Sequence, residues 1–170
     1  MEVIISDASS LILSEKIKLL DLLLKKYKIL IPEEVYNEAV IKGKQKNVPD
    51  AYKLEHKLKT RRLSLIKVKD TKKVRKVMSE FNIQQGETEV IILFFEQKTD
   101  YVLLDDHKAM LVCKAYEVPF LTTLTLVLAT LKQKLTNKER AKTMIKELAI
   151  HGRYKDELIF RALEEVEKNE

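Results

Sequence analysis

Short apolar runs alternate along the chain with segments whose apolar residues recur every three or four positions. That alternation predicts parallel strands joined by helices. Residues 2–6 read as a strand ending at Asp7, with Ser9 or Ser10 placed to cap the helix that follows. Ile17, Leu20, Leu23 and Leu24 have helical spacing over 16–26, and Lys28 to Ile31 form a second apolar run. Pro32 sits where a first helical turn tolerates a missing N–H, and that helix is expected to run to about Lys42. Further helices are expected over 50–60, 71–81, about 87–97 and 107–116. Strands are expected over 63–68, 101–104 and, edge-like because of its proline, 119–122. Beyond that point the periodicity is helical throughout, over about 124–134, 137–149 and 155–168. The fold class this predicts is α/β: a three-layer α/β/α arrangement around a parallel sheet of four to five strands, with a helical C-terminal tail. One domain is expected over 1–170, with a core to about 135 and a helical extension over 136–170.

Charge modifies this picture locally. Residues 42–76 hold 14 Lys and Arg against 3 acids, a net +11 on a chain whose total is +6, so the remainder is acidic. A contiguous basic stretch on an otherwise acidic chain is the footprint of a polyanion binder, and Lys57, Lys59, Arg61 and Arg62 are its candidate nucleic-acid contacts. A solvated lysine-rich face is the competing explanation. The single cysteine, Cys113, excludes an internal disulfide and any cysteine-rich zinc site, and its apolar setting reads as a buried side chain. With no apolar run near 18 residues and no leader-like N-terminus, a cytoplasmic protein without membrane partners is expected.

In open parallel sheets, chemistry collects beyond the carboxyl ends of the strands. Asp7 ends the first strand, Asp105 and Asp106 end the fourth, Glu38 lies early in the helix after the second, and Glu87 stands at a helix start. Two like charges 4 Å apart repel by roughly 4 kcal/mol at an effective dielectric of 20. Carboxylates gathered this way call for cations, and hard oxygen donors without thiolates point to Mg2+ or Mn2+. Such ions beside a basic surface suit hydrolysis of a phosphodiester.

Four blocks then carry a resemblance. Ile4-Ile5-Ser6-Asp7-Ala8-Ser9, Pro32-Glu33-Glu34-Val35-Tyr36-Asn37-Glu38, Gly86-Glu87-Thr88-Glu89 and Leu103-Leu104-Asp105-Asp106-His107-Lys108-Ala109 resemble, in order and spacing, the four motif blocks of PIN-domain nucleases over about residues 1–135. The tail with His151-Gly152-Arg153 is similar to a prokaryotic, often archaeal, branch of that family. The resemblance implies a metal-dependent nuclease, usually acting on RNA, in which Asp7, Glu38, Glu87 and Asp105 hold one or two Mg2+ or Mn2+ ions. Asp106 is a further candidate ligand or a helix cap. Ser9 is expected to orient Asp7 or a water, Glu89 to stand behind the ligands, and Thr122 or Thr123 to donate to a substrate phosphate. Many small relatives are VapC-like toxins, dimeric and blocked by an antitoxin, which makes an antitoxin protein and a homodimer candidate partners beside RNA. Apolar residues in 16–26 and 155–168 are the candidate dimer surface.

One block departs from the pattern. Thr122-Thr123-Leu124-Thr125 stands where many relatives have Gly-Thr-x-Gly. That motivates a second reading, a catalytically weak PIN module that binds RNA or a protein. His107 beside Asp106 is a weaker candidate, read as a surface histidine. A phosphoacceptor receiver domain shares the alternation, but it needs an acidic pair after the first strand and a lone Asp after the third. Here the first offers Asp7 alone and the third ends in Val68-Lys69-Asp70.

Overall fold

The structure, a computed structural model, describes residues 1–168. Five strands form one sheet in the order β3-β2-β1-β4-β5: β1 (Val3–Ser6), β2 (Lys28–Pro32), β3 (Leu63–Ile66), β4 (Tyr101–Leu103) and β5 (Phe120–Leu121). Every pairing is parallel, with Ile5 opposite Leu30 on one side and Val102 on the other. A central parallel strand is covered on both faces, so its residues need no alternation. Ile4, Ile5, Ile29, Ile31, Val102 and Leu103 are all buried, each worth roughly 1.5–3 kcal/mol against exposure.

The chain winds outward from β1 to β2 and β3, then returns to add β4 and β5 on the other side of β1. Right-handed crossovers therefore place the two sets of connecting helices on opposite faces. The first set is α1 (Ala8–Lys16), α2 (Leu20–Leu23), a helical stretch from Glu33 to Gln45, and α5 (Pro49–Lys59). The second is α6 (Thr71–Phe81), α7 (Gln85–Gln97), which packs on β1, β2 and β4, and α8 (His107–Ala115). The tail contributes α9 (Thr123–Lys132), α10 (Lys138–His151) and α11 (Asp156–Lys168), which pack on one another, with α9 also meeting α1. This is the three-layer arrangement expected. Among the described residues, no helix is long and apolar enough to cross a membrane.

Several local expectations change. The helical spacing over 16–26 breaks after Lys16, because Lys18 turns the chain with φ at 61°; only Leu20–Leu23 resumes as α2. Leu19, Leu20, Leu22 and Leu23 are core, so this part of the candidate dimer surface is already covered. In α11, Ile159, Ala162 and Val166 are likewise buried within the tail, while Leu163 is half-buried and Leu158 exposed. The helix after β2 passes Lys42 and reaches Gln45 through α3 (Glu33–Tyr36), a π-helical segment (Asn37–Lys42) and α4 (Gly43–Gln45). Wider π turns of this kind are rare and are frequent at functional sites. Glu87 is the third residue of α7, since Gln85 and Gly86 already belong to it.

Candidate active site

Asp7 follows β1 directly, and its N–H donates to the Leu103 carbonyl of β4 at 3.1 Å. Strands β1 and β4 are where the winding reverses, so a crevice opens there at their carboxyl ends. Asp7 itself, and neither Ser9 nor Ser10, caps α1: its Oδ1 accepts from Ser10 N at 2.8 Å and its Oδ2 from Ser9 Oγ at 3.1 Å. The carboxyl group is buried. Burial above all, with the nearby Asp105 charge adding, pushes its pKa up to about 7 against the two serine hydrogen bonds.

Glu38 comes from the π segment and is half-buried. Its carboxylate lies against the first turn of α7, with Oε2 3.6 Å from where a Cβ on Gly86 would stand. No hydrogen bond or ion pair to it is found among the described residues. Its pKa is raised, first by burial, then by Glu34 and Glu89, with Lys42 opposing. Glu87 closes a capping box: its Oε2 accepts from Gln84 N at 3.0 Å. Its pKa is raised too, first by burial and then by Asp106 and Glu38, with Lys108 and the Gln84 bond opposing.

The two acids after β4 point apart. Asp106 caps α8, accepting from Ala109 N at 3.0 Å. Asp105 turns toward α9, where Thr123 N donates to Oδ1 at 2.9 Å and Thr123 Oγ1 to Oδ2 at 2.5 Å. Tyr154, from the link between α10 and α11, also donates its hydroxyl proton to Asp105 Oδ1. The same hydroxyl oxygen accepts from Leu124 N at 3.1 Å. Burial and the charge of Asp105 hold the tyrosine firmly protonated.

One cleft of about 590 Å3 gathers these groups. Asp7, Ser9, Glu38, Glu87, Asp105 and Asp106 all line it, with Lys16, Gln84, His107, His151 and Arg153. Five carboxylates from four distant chain segments thus face one space, and no ion pair to any of them is found among the described residues. The donors are hard oxygens, and three of the acids, Asp7, Glu38 and Glu87, are raised by burial and then by neighbouring carboxylates. In kind, that set fits a divalent cation. In spacing it is open: among the described residues, no three acidic, histidine or cysteine side chains stand close enough together to form a ligand group.

The remaining candidates are placed elsewhere. Glu89 is buried and does not line the cleft; it accepts from Gln85 Nε2 at 2.7 Å and Glu34 N at 3.3 Å, behind Glu38. Thr122 caps α9 and exchanges hydrogen bonds with Thr125, while Thr123 is spent on Asp105. Their donors are used within the protein, so the expected phosphate contact has no free group there. Lys57, Lys59, Arg61 and Arg62 precede β3 and therefore sit at the amino end of the sheet, opposite the cleft. Lys57 does not present a surface cation: it is buried, with Nζ 2.9 Å from Glu15 and 3.6 Å from Asp21. Lys59 pairs with Glu55 and Arg62 with Asp21, which leaves Arg61 as the exposed member without an ion pair among the described residues. Cys113 is buried and free, its thiol pushed up to about 12 by burial.

Sequence reasoning missed Tyr154. Its only signal was a tyrosine next to the His151-Gly152-Arg153 motif, with nothing to tie it to an acid 49 residues earlier. No curated protein matches the chain. A family model, DUF3368, described as a PIN domain, matches residues 3–168.

Proposed function

The chain belongs to the PIN-domain family, whose members are generally nucleases, and on that premise we propose that it is a Mg2+- or Mn2+-dependent endoribonuclease. The observation that carries this reading is the cleft at the sheet's switch point, lined by Asp7, Glu38, Glu87, Asp105 and Asp106 with no ion pair to offset them among the described residues. Asp7, Glu38, Glu87 and Asp105 are the residues that would hold the ion. When bound, it supplies Lewis acidity for activating water and for offsetting charge on a phosphodiester.

The protein's own groups set the stage for that chemistry. Ser10 N and Ser9 Oγ fix the Asp7 carboxylate, so its oxygens are aimed before any ligand arrives. Burial pushes the Asp7 pKa up to about 7, so near neutral pH a cation competes with a proton for this carboxylate. Thr123 and Tyr154 lock Asp105, spending three of its roughly four acceptor positions and leaving one toward the cleft. Glu38, without a hydrogen bond among the described residues, is the acid free to reorient and draw the open set together. Because Tyr154 reaches Asp105, we take the helical extension as part of the same catalytic unit. The family's toxin members make an antitoxin that fills the cleft the natural protein partner.

Cleavage of labelled single-stranded RNA tests the reading. Activity is expected with Mn2+ or Mg2+, lost with a chelator, and reduced at least a hundredfold in Asp7→Asn and Glu38→Gln, the scale of losing one preorganised electrostatic group. Equal cleavage by wild type and Asp7→Asn would sink it. The weak-binding alternative draws on one observation, the N-terminus of α9, whose N–H groups are already bonded within the protein. RNA binding without metal-dependent cleavage would favour that alternative.

A further inference from the structure

A strand of nucleic acid brought to this cleft meets five carboxylates, and a cation is needed beside any bound ion to hold the phosphates. A helix N-terminus is the usual backbone donor for phosphate. Here it is spent: Thr122 N donates to Thr125 Oγ1, Thr123 N to Asp105, Leu124 N to Tyr154 and Thr125 N to Thr122 Oγ1. Two strong cations line the cleft, Lys16 and Arg153. Lys16 is committed, with Nζ 2.9 Å from Asp50. Arg153 is exposed and, among the described residues, has neither an ion pair nor a hydrogen bond, although it shares the cleft with five acids.

The backbone that carries Arg153 is fixed on both sides. Tyr154 is clamped between Asp105 and Leu124 N. Gly152 packs so tightly that a Cβ would stand 2.8 Å from the Leu148 carbonyl and 2.9 Å from the Tyr154 ring. A guanidinium mounted on an anchored turn, beside an acidic site and unpaired among the described residues, is available to a planar anion that it can grip with two N–H groups. We propose that Arg153 is the phosphate-binding residue of the cleft and grips the backbone of the strand being cut. This deepens the nuclease reading and rests on it for the identity of the strand.

The test compares Arg153→Ala, Arg153→Lys and, as a control outside the cleft, Lys155→Ala. Anisotropy of a labelled single-stranded RNA with Mn2+ is followed in a Glu38→Gln background over a range of salt, and steady-state cleavage in the wild-type background. Arg153→Ala is expected to weaken binding about tenfold and to flatten the log–log salt slope by roughly 0.7, one phosphate contact on a single strand. KM should rise by a similar factor with kcat within about threefold, as for loss of binding shared by ground and transition states. Arg153→Lys should recover part of the affinity and Lys155→Ala should match wild type. Unchanged affinity and slope in Arg153→Ala, with the wild-type chain cutting RNA, would overturn the assignment and leave the nuclease reading standing. A wild-type chain that binds RNA through Arg153 and cuts nothing would do the reverse. No binding by any variant or by wild type would overturn both.

Discussion

Replacing Asp7 with Asn should make the metal-free protein more stable, and the amount should depend on pH. In the fold, burial moves the Asp7 pKa from an ordinary 3.8 to about 7. The unfolded chain therefore gives up this proton near pH 4, while the folded chain keeps it until about pH 7. Across that window the folded state binds more protons, so stability falls as pH rises, and it levels off above about pH 7. A gap of about three pH units corresponds to roughly 4 kcal/mol at ~1.36 kcal/mol per unit. That is a ceiling, since water drawn from the cleft relieves part of the cost; about 2 kcal/mol is expected, or roughly 4–8 °C in Tm for a chain of this size. Asparagine keeps an oxygen for Ser10 N and carries no charge to desolvate. Thermal melts in chelator at pH 4, 6 and 8 should show the variant matching wild type at the lowest pH and gaining on it at each step. Adding Mn2+ at pH 8 should raise the wild-type Tm and leave the variant unmoved, because the site trades stability for a ligand. An Asp7→Asn protein less stable than wild type at pH 8 in chelator, or a difference that ignores pH, would refute the account of why this carboxylate is strained.

Tyr154→Phe removes the proton donor to Asp105 and leaves Leu124 N without its acceptor, so it should cost about 1–3 kcal/mol in urea unfolding and weaken Mn2+ binding measured by calorimetry; unchanged metal affinity would mean the tyrosine only packs. Lys57→Met leaves Glu15 buried without its partner and should cost about 3–5 kcal/mol, whereas Lys57→Met with Glu15→Leu should recover most of it; a single variant as stable as wild type would show the pair to be idle. Lys59→Ala with Arg61→Ala should not change cleavage of a strand of about five nucleotides, short enough to occupy the cleft alone, and should weaken binding only of long RNA; loss on the short strand would bring the basic segment back to the site.

The sheet was legible because strands buried on both faces must be apolar throughout, and Val3 to Ile5, Ile29 to Ile31 and Tyr101 to Leu103 satisfy that with no competing period. Most of the cleft acids were legible for a related reason: Asp7, Asp105 and Asp106 come just after strands and Glu38 lies in the helix after β2, so the topology fixes where they arrive, whereas Glu87 stands in α7, which follows α6, and was marked by its motif block. Side chains whose roles depend on distant partners were hidden. Lys57 reads as one more lysine in a basic run until α1 brings Glu15 against α5, and the long methylene stem lets it bury once the charge is matched. Thr122 and Thr123 read as free hydroxyls until Asp105 and Thr125 take them. The π segment around Glu38 leaves no mark in the periodicity, because its buried residues Val35, Ala39 and Val40 have a spacing that an ordinary α-helix also gives.

The tail shows how far such partnerships reach. Asp105 lies two residues past β4, yet its position is set by the first turn of α9 and by a tyrosine beyond α10. The departing residues, Thr122 and Thr125, bond each other: Thr122 N donates to Thr125 Oγ1 and Thr125 N to Thr122 Oγ1, acceptors that glycine lacks, while Thr123, the threonine of the pattern, supplies both a backbone and a hydroxyl proton to Asp105. The first turn of α9 holds Asp105, and the anchored turn next to Tyr154 puts Arg153 on the cleft. With the N–H groups of α9 spent inside the protein, the phosphate-facing task falls to Arg153. On this argument, removing α10 and α11 should cost the site its aim and its cation together, and restoring glycines at 122 and 125 in the full chain should loosen α9 without replacing Arg153.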